Sequence, residues 1–193
     1  MINRRWLLVV ALAVAVVQIG FLVSMIAGRA AILRGGQEVL LEVRPIDPRD
    51  LLRGDYVILG YNISSIPAEL FAEKPAGDEG ADESVIFVRL KADDEGVWQP
   101  IAARYGEKPQ PEATEGEIDI KGSASATWFE GTTSVDVRYG IERFYVPEGE
   151  GKAIENDLRE RPFRMRVAVA EDGSAQIKAF MDGDTMLYAE PLY

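Results

Sequence analysis

The chain has 193 residues, of which 21 are basic and 32 acidic, and it contains neither cysteine nor histidine. That inventory excludes thiol catalysis, disulfides, Cys/His zinc sites, haem ligation by histidine and Ser-His-Asp chemistry. Four basic residues and no acidic ones fall in the first 34 positions, so the rest carries 17 against 32, a net charge of −15; such a domain is repelled by nucleic acid and by anionic headgroups, and neither is expected as a ligand.

Residues 6–27, WLLVVALAVAVVQIGFLVSMIA, hold no charge, and Gln18 and Ser24 are their only polar side chains. At ~1.5 Å per residue this run crosses the ~30 Å hydrocarbon core of a bilayer, which predicts a transmembrane helix in contact with lipid. A cleaved secretory signal is the rival, with Arg4 and Arg5 as the basic leader and Gly28, Arg29 and Ala30 as the cleavage site. The run exceeds the ~7–15 residues of a signal core, and an arginine interrupts the small-x-small motif, so an uncleaved anchor is the reading adopted. Arg4, Arg5 and the amino terminus outweigh Arg29 and Arg34, which predicts a single-pass protein of the cell membrane with a cytoplasmic N-terminus. Gly20, Ser24 and Gly28 recur every fourth residue, a stripe of small side chains that lets a second membrane helix approach closely. Gly35 and Gly36 then read as a short hinge. The expected organisation is an anchor with flanks over 1–34 and an extracytoplasmic domain over 35–193.

Beyond the hinge, apolar residues alternate with a period of two. Strands are predicted at 37–43, 56–63, 84–90, 97–105, 117–129, 135–141, 163–170, 175–181 and 185–193. Three short Asp/Gly clusters, at 93–96, 171–174 and 182–184, supply hairpin chemistry, the last two in a C-terminal antiparallel meander. The segments 72–83 and 106–117, rich in Pro, Gly and acid, read as loops, and 151–160 reads as one short helix closed by Pro162. The fold expected is mainly β: a transmembrane helix followed by a single, mostly antiparallel domain, sandwich or barrel-like.

The stretch PIDPRDLLRGDYVILGY, residues 45–61, is the densest in special residues. With Asp47 as N-cap, Pro48 falls at the first helical position and Asp50 at the third, while Ile46 and Leu51 form a hydrophobic staple. Arg53 complements the far end of the turn, and Gly54 ends it. Asp47, Arg49, Asp50, Arg53 and Asp55 form a solvated ion-pair cluster on this reading, and the segment is one helical turn between two strands. A calcium site is the alternative, but the spacing is not that of an EF-hand loop and the arginines neutralise it. A second alternative is a tyrosine-faced interaction surface made by Tyr56, Leu59 and Tyr61, extended by Tyr139, Tyr145 and Glu148.

From Gly54 to Tyr61 the letters are GDYVILGY, and from Tyr139 to Gly149 they are YGIERFYVPEG. With the P-x-D-P-R-D-x-x-R-G-D-Y approach that begins at Pro45, these stretches resemble the GDYXXLXY family over nearly the whole chain. The resemblance implies a membrane-anchored prokaryotic protein of uncharacterised biochemical role, encoded with or fused to polytopic membrane proteins. A fainter likeness to Ser/Lys signal peptidases, aligned on Leu51, Gly54 and Asp55, puts Ile46 where the serine nucleophile belongs, and without that hydroxyl no acyl-enzyme forms.

No phosphate-binding glycine loop occurs. Glu148 and Glu155 resemble a catalytic carboxylate pair, but each precedes a basic residue by four, Lys152 and Arg159, which solvated helical pairs explain. No catalytic residue, metal or cofactor is therefore expected. The leading reading is a non-enzymatic interaction domain, an accessory subunit of a polytopic membrane protein. The alternatives are an envelope hydrolase working through carboxylates or a Ser/Lys pair, and a solute-sensing module.

Overall fold

A computed structural model describes residues 4–45, 56–73, 83–125, 131–145 and 161–189. Helix α1, Arg4–Gly35, is apolar and exposed along most of its length, and it is long and apolar enough to cross a membrane. Its last turns behave differently. Ala30 and Leu33 are buried, and α1 packs there on two strands of the domain that follows.

Eleven strands are described: β1 Gln37–Pro45, β2 Tyr56–Tyr61, β3 Ser65–Pro67, β4 Ser84–Ala92, β5 Trp98–Tyr105, β6 Glu117–Ala124, β7 Ser134–Arg138, β8 Arg143–Tyr145, β9 Phe163–Val169, β10 Ala175–Asp182 and β11 Thr185–Ala189. They form two antiparallel sheets, ordered β11-β10-β9-β1-β2-β8 and β3-β7-β6-β4-β5. One hydrophobic cluster fills the space between them, as the period-two pattern requires: Val39, Leu41 and Val43 of β1 and Phe163, Met165 and Val167 of β9 share it with Ile86, Val88 and Leu90 of β4. The first sheet also curls, because Phe144 on its last strand meets Phe180 of β10 at 5.8 Å and Tyr188 of β11 at 6.4 Å between ring centroids. The mainly β class is thus realised as two sheets over one core.

The hairpins form where Asp and Gly predict them. Asp93 Oδ1 accepts the backbone N–H groups of Glu95 and Val97, and Asp172 Oδ1 accepts that of Ser174. Gly96, Gly173 and Gly183 take positive φ in the three turns. Hydrogen bonds to the ionised form hold both carboxylates below their usual range, first from the Gln99 side chain at Asp93 and first from the Ser174 N–H at Asp172.

Three expectations need correction. Gly36 is no hinge: its N–H bonds Ile32 O at 2.8 Å, and a Cβ there would meet Ile32 O at 2.7 Å and Val169 O at 3.0 Å, so glycine lets the helix end lie directly against β9. The strand predicted over 135–141 ends at Arg138, because Gly140 turns the chain with φ +79, and a new strand begins at Arg143. The segment 106–116 is a loop as expected, but an anchored one. The buried Arg89 guanidinium holds Asp119 at 2.8 and 3.0 Å and donates to Pro109 O at 2.7 Å and to Pro111 O. The helical turn predicted over 47–54 and the helix predicted over 151–160 lie outside the described residues.

Candidate functional site

Strand β2 carries the end of the first motif, and β8 lies within the second. The two pair antiparallel with Tyr56 opposite Tyr145, Val57 opposite Phe144 and Ile58 opposite Arg143, and the Leu59 N–H continues the ladder to Glu142 O at 2.8 Å. Two tyrosines lock this junction reciprocally. The Tyr61 hydroxyl donates to Ile141 O at 2.5 Å, and the Tyr139 hydroxyl donates to Ile63 O at 2.7 Å.

Each ring is turned inward, Tyr61 at the end of β2 and Tyr139 just past the end of β7. Tyr61 follows Leu59 at the two-residue spacing of the core face, and both are almost inaccessible. Tyr139 lies over Gly122 of β6, where a Cβ would meet its Cδ1 at 3.0 Å and Val137 Cγ1 at 2.7 Å. Burial pushes both phenols well above their ordinary value, and the Glu142 charge adds to the effect. Glu142 Oε1 accepts the Tyr139 N–H at 2.5 Å and so closes the turn around Gly140.

The predicted contact surface is corrected accordingly. Leu59, Tyr61 and Tyr139 face the core, and the two tyrosine hydroxyls are spent on backbone carbonyls, so these side chains are not presented to a partner. For Tyr56 and Tyr145 the backbone pairing alone is described. Glu148, together with Asp47, Pro48, Arg49, Asp50, Arg53, Gly54 and Asp55, lies outside the described residues. Gly20 and Gly28 have open space where a Cβ would stand and Ser24 is exposed, so nothing in the described residues covers the small-residue stripe of α1.

What the junction builds instead is a groove of about 830 Å³. Gly60 and Tyr61 of the first motif and Gly140, Glu142 and Arg143 of the second form part of its wall, and Arg44, Ser64, Ser65, Asp136 and Arg138 complete the polar lining. Arg44, Arg138 and Arg143 are all exposed. Arg138 pairs with Glu83, while Arg44 has no hydrogen bond or ion pair among the described residues. Sequence reasoning missed Arg44, Asp136 and Arg138, which lie outside both motifs and reach the groove only because β1 pairs with β2 and β7, a strand of the other sheet, bonds Ser64 O through the Val137 N–H.

In the groove Ser65 stands opposite Asp136 across β3–β7, but among the described residues no hydrogen bond joins either serine hydroxyl to Asp136 or Glu142. The described lysines other than Lys121 bond carboxylates or a backbone carbonyl: Lys91 pairs with Glu117, Lys178 with Glu38, and Lys108 donates to Glu171 O. The carboxylates of Asp93, Glu117 and Asp172 are shifted down by hydrogen bonds, the direction opposite to that of a general acid. Among the described residues no group of three or more acidic side chains has the arrangement of a metal site.

No curated protein and no solved structure matches the chain. The family described as "GDYXXLXY protein" matches residues 18–180, from the middle of α1 to Phe180 of β10, and so takes in the anchor's second half, both motifs and the groove. The chain belongs to the GDYXXLXY protein family.

Proposed function

We propose that this protein is a membrane-tethered, non-enzymatic interaction subunit that accompanies a polytopic membrane protein, with α1 in the bilayer and the β domain on the extracytoplasmic side. The observation that carries the reading is convergence: two stretches of the family signature, about 80 residues apart in sequence, pair as neighbouring strands and wall one groove. Tyr61 and Tyr139 lock the backbone, and the polar lining of the groove includes three arginines, a residue type enriched at protein interfaces and able to bond carboxylates in a forked geometry. The small-residue face of α1, uncovered among the described residues, supplies a second contact within the membrane. The leading basic residues Arg4 and Arg5 support the orientation.

The test is co-purification of the full chain from membranes in mild detergent, with a photo-crosslinking residue at Ser65. The reading expects one polytopic protein retained by the wild type and crosslinked at the groove. Retention should fall at least tenfold after Gly20→Leu/Ser24→Leu. A chain that retains no membrane protein, or one retained equally by the variant and never crosslinked at Ser65, refutes it.

A further inference from the structure

The charge of the groove runs against that of its domain. Residues 35–193 carry −15, with 17 basic and 32 acidic side chains, yet the groove gathers Arg44, Arg138 and Arg143 against Asp136 and Glu142. Glu142 is turned into its own loop, accepting the Tyr139 N–H. Asp136 is therefore the only carboxylate of the lining without a hydrogen bond or ion pair among the described residues. Ser64 Oγ accepts the Tyr61 N–H at 3.0 Å, which leaves its own hydrogen to donate. Three guanidinium groups and a serine hydroxyl thus line a concavity whose apolar members, Leu59 and Val137, are buried beneath it with their side chains in the core. A site of this composition attracts carboxylates and holds them in bidentate geometry. Its ~830 Å³ lies toward the upper end of the ~300–1,000 Å³ of ligand clefts, and β3, the terminal strand of its sheet, opens its Ser65 end onto it. An extended chain can pair with such an edge while its side chains occupy the concavity.

We infer that the groove between β2–β8 and β3–β7 binds an extended, acidic peptide segment of the partner protein, with Arg44, Arg138 and Arg143 as its carboxylate anchors. The inference rests on the interaction reading above and adds the chemistry of the segment that docks. Arg44 is the anchor most open to engagement, since among the described residues it has no partner to give up, whereas Arg138 exchanges Glu83 for the ligand. Asp136 sets the limit: it repels a carboxylate placed at its end of the groove, which fixes the register of the bound segment.

The experiment uses the full chain in detergent micelles and three dye-labelled decapeptides, alternating Leu with Glu, with Gln or with Lys, read by fluorescence anisotropy. The Glu peptide is expected to bind at least tenfold tighter than the Gln peptide, with affinity falling as salt rises, and the Lys peptide is expected not to bind. Arg44→Glu should abolish the preference and Asp136→Asn should strengthen binding several-fold, both with unchanged melting temperature because both side chains are exposed. Equal affinity for all three peptides, or a Glu preference untouched by Arg44→Glu and Asp136→Asn, overturns the inference. The two readings fail separately. A membrane protein that co-purifies and crosslinks at Ser65 but tolerates Arg44→Glu sinks the acidic-segment inference alone. Acid-selective binding by a chain that retains no membrane protein sinks the accessory-subunit reading and leaves the groove's chemistry standing.

Discussion

Replacing Tyr61 with phenylalanine isolates the lock that joins the two motifs. The ring remains, so the core keeps its packing, but Ile141 O loses the donor it meets at 2.5 Å. A buried hydrogen bond contributes about 1 kcal/mol net, and an acceptor left unpaired raises the cost to about 1–3 kcal/mol. In a domain of this size each kcal/mol moves the melting temperature by about 2–4 °C, so a cost near 2 kcal/mol predicts a fall of about 4–8 °C. Tyr139→Phe removes the reciprocal bond to Ile63 O and should behave alike. Because both bonds tie the same two segments, the double variant should depart from additivity by about 0.5 kcal/mol or more. The alkaline limb provides a second readout. Both phenols are raised in the folded state, first by burial and then by Glu142. Their stabilisation is therefore complete below the unfolded value of about 10 and is lost as pH rises beyond it toward the folded values. In tyrosinate absorbance of the full chain in detergent, two of the seven tyrosines should ionise only as strand circular dichroism collapses. Melting of Tyr61→Phe within 1 °C of wild type, or ionisation of all seven tyrosines near pH 10 with the strand signal intact, would refute the lock.

Other sites give independent checks. Arg89→Met strands Asp119 in the core and should cost about 3–5 kcal/mol in thermal unfolding, while Arg89→Met/Asp119→Leu should recover most of it. Limited proteolysis of Arg89→Met should also open the 106–116 loop first, since its ties to Pro109 O and Pro111 O are gone. Leu33→Ala empties the contact between α1 and the domain and should cost about 2–5 kcal/mol, whereas Val17→Ala on the exposed face of α1 should leave the domain's melting unchanged. The Asp93 and Asp172 carboxylates are lowered in the folded state, so their stabilisation is present above the unfolded value of about 3.9 and fades as pH falls through the folded values. Asp93→Ala and Asp172→Ala should each flatten the loss of stability measured between pH 5 and 2.

Much of the fold was legible because most of its strands alternate buried and exposed side chains. QEVLLEV and FRMRVAV announce β1 and β9 through Val39, Leu41, Val43, Phe163, Met165 and Val167, and the Asp/Gly clusters announce the hairpins. Strands β3 and β8 escaped notice because three residues are too few to show a period. The YGIE stretch was misread for a related reason: the alternation of Val135, Val137 and Tyr139 continues through a turn made by Gly140 and closed by Glu142. Arg89 was invisible in a different way. Its neighbours in sequence give no hint that it is buried, because its partners arrive from 20 to 30 residues away, Asp119 from the facing strand β6 and Pro109 and Pro111 from the loop before it. At the site, Tyr61 and Tyr139 are assigned to a surface by their sequence context but anchor backbone in the core, since a tyrosine that anchors backbone and one that meets a partner look the same in sequence. Burial separates them.

The joint between anchor and domain bears on why such a groove should be held near a membrane at all. A glycine-rich hinge would let the domain sample many orientations, and each docking event would then pay the cost of ordering it. Here α1 ends at Gly35, β1 starts at Gln37, and Leu33 and Gly36 seat the helix end against the sheet. From Gln37 to Arg44 the chain is a continuous strand, about 23 Å at ~3.3 Å per residue. The groove therefore stands at a set distance along β1 from the helix end, and a rotation or tilt of α1 carries it along. For a partner in the same bilayer, contact along the helix raises the effective concentration of its docking segment at the groove, so an arginine-rich site of modest intrinsic affinity suffices. Loosening Leu33 should consequently weaken partner retention more than it weakens binding of a free acidic peptide, because the peptide gains nothing from the fixed joint.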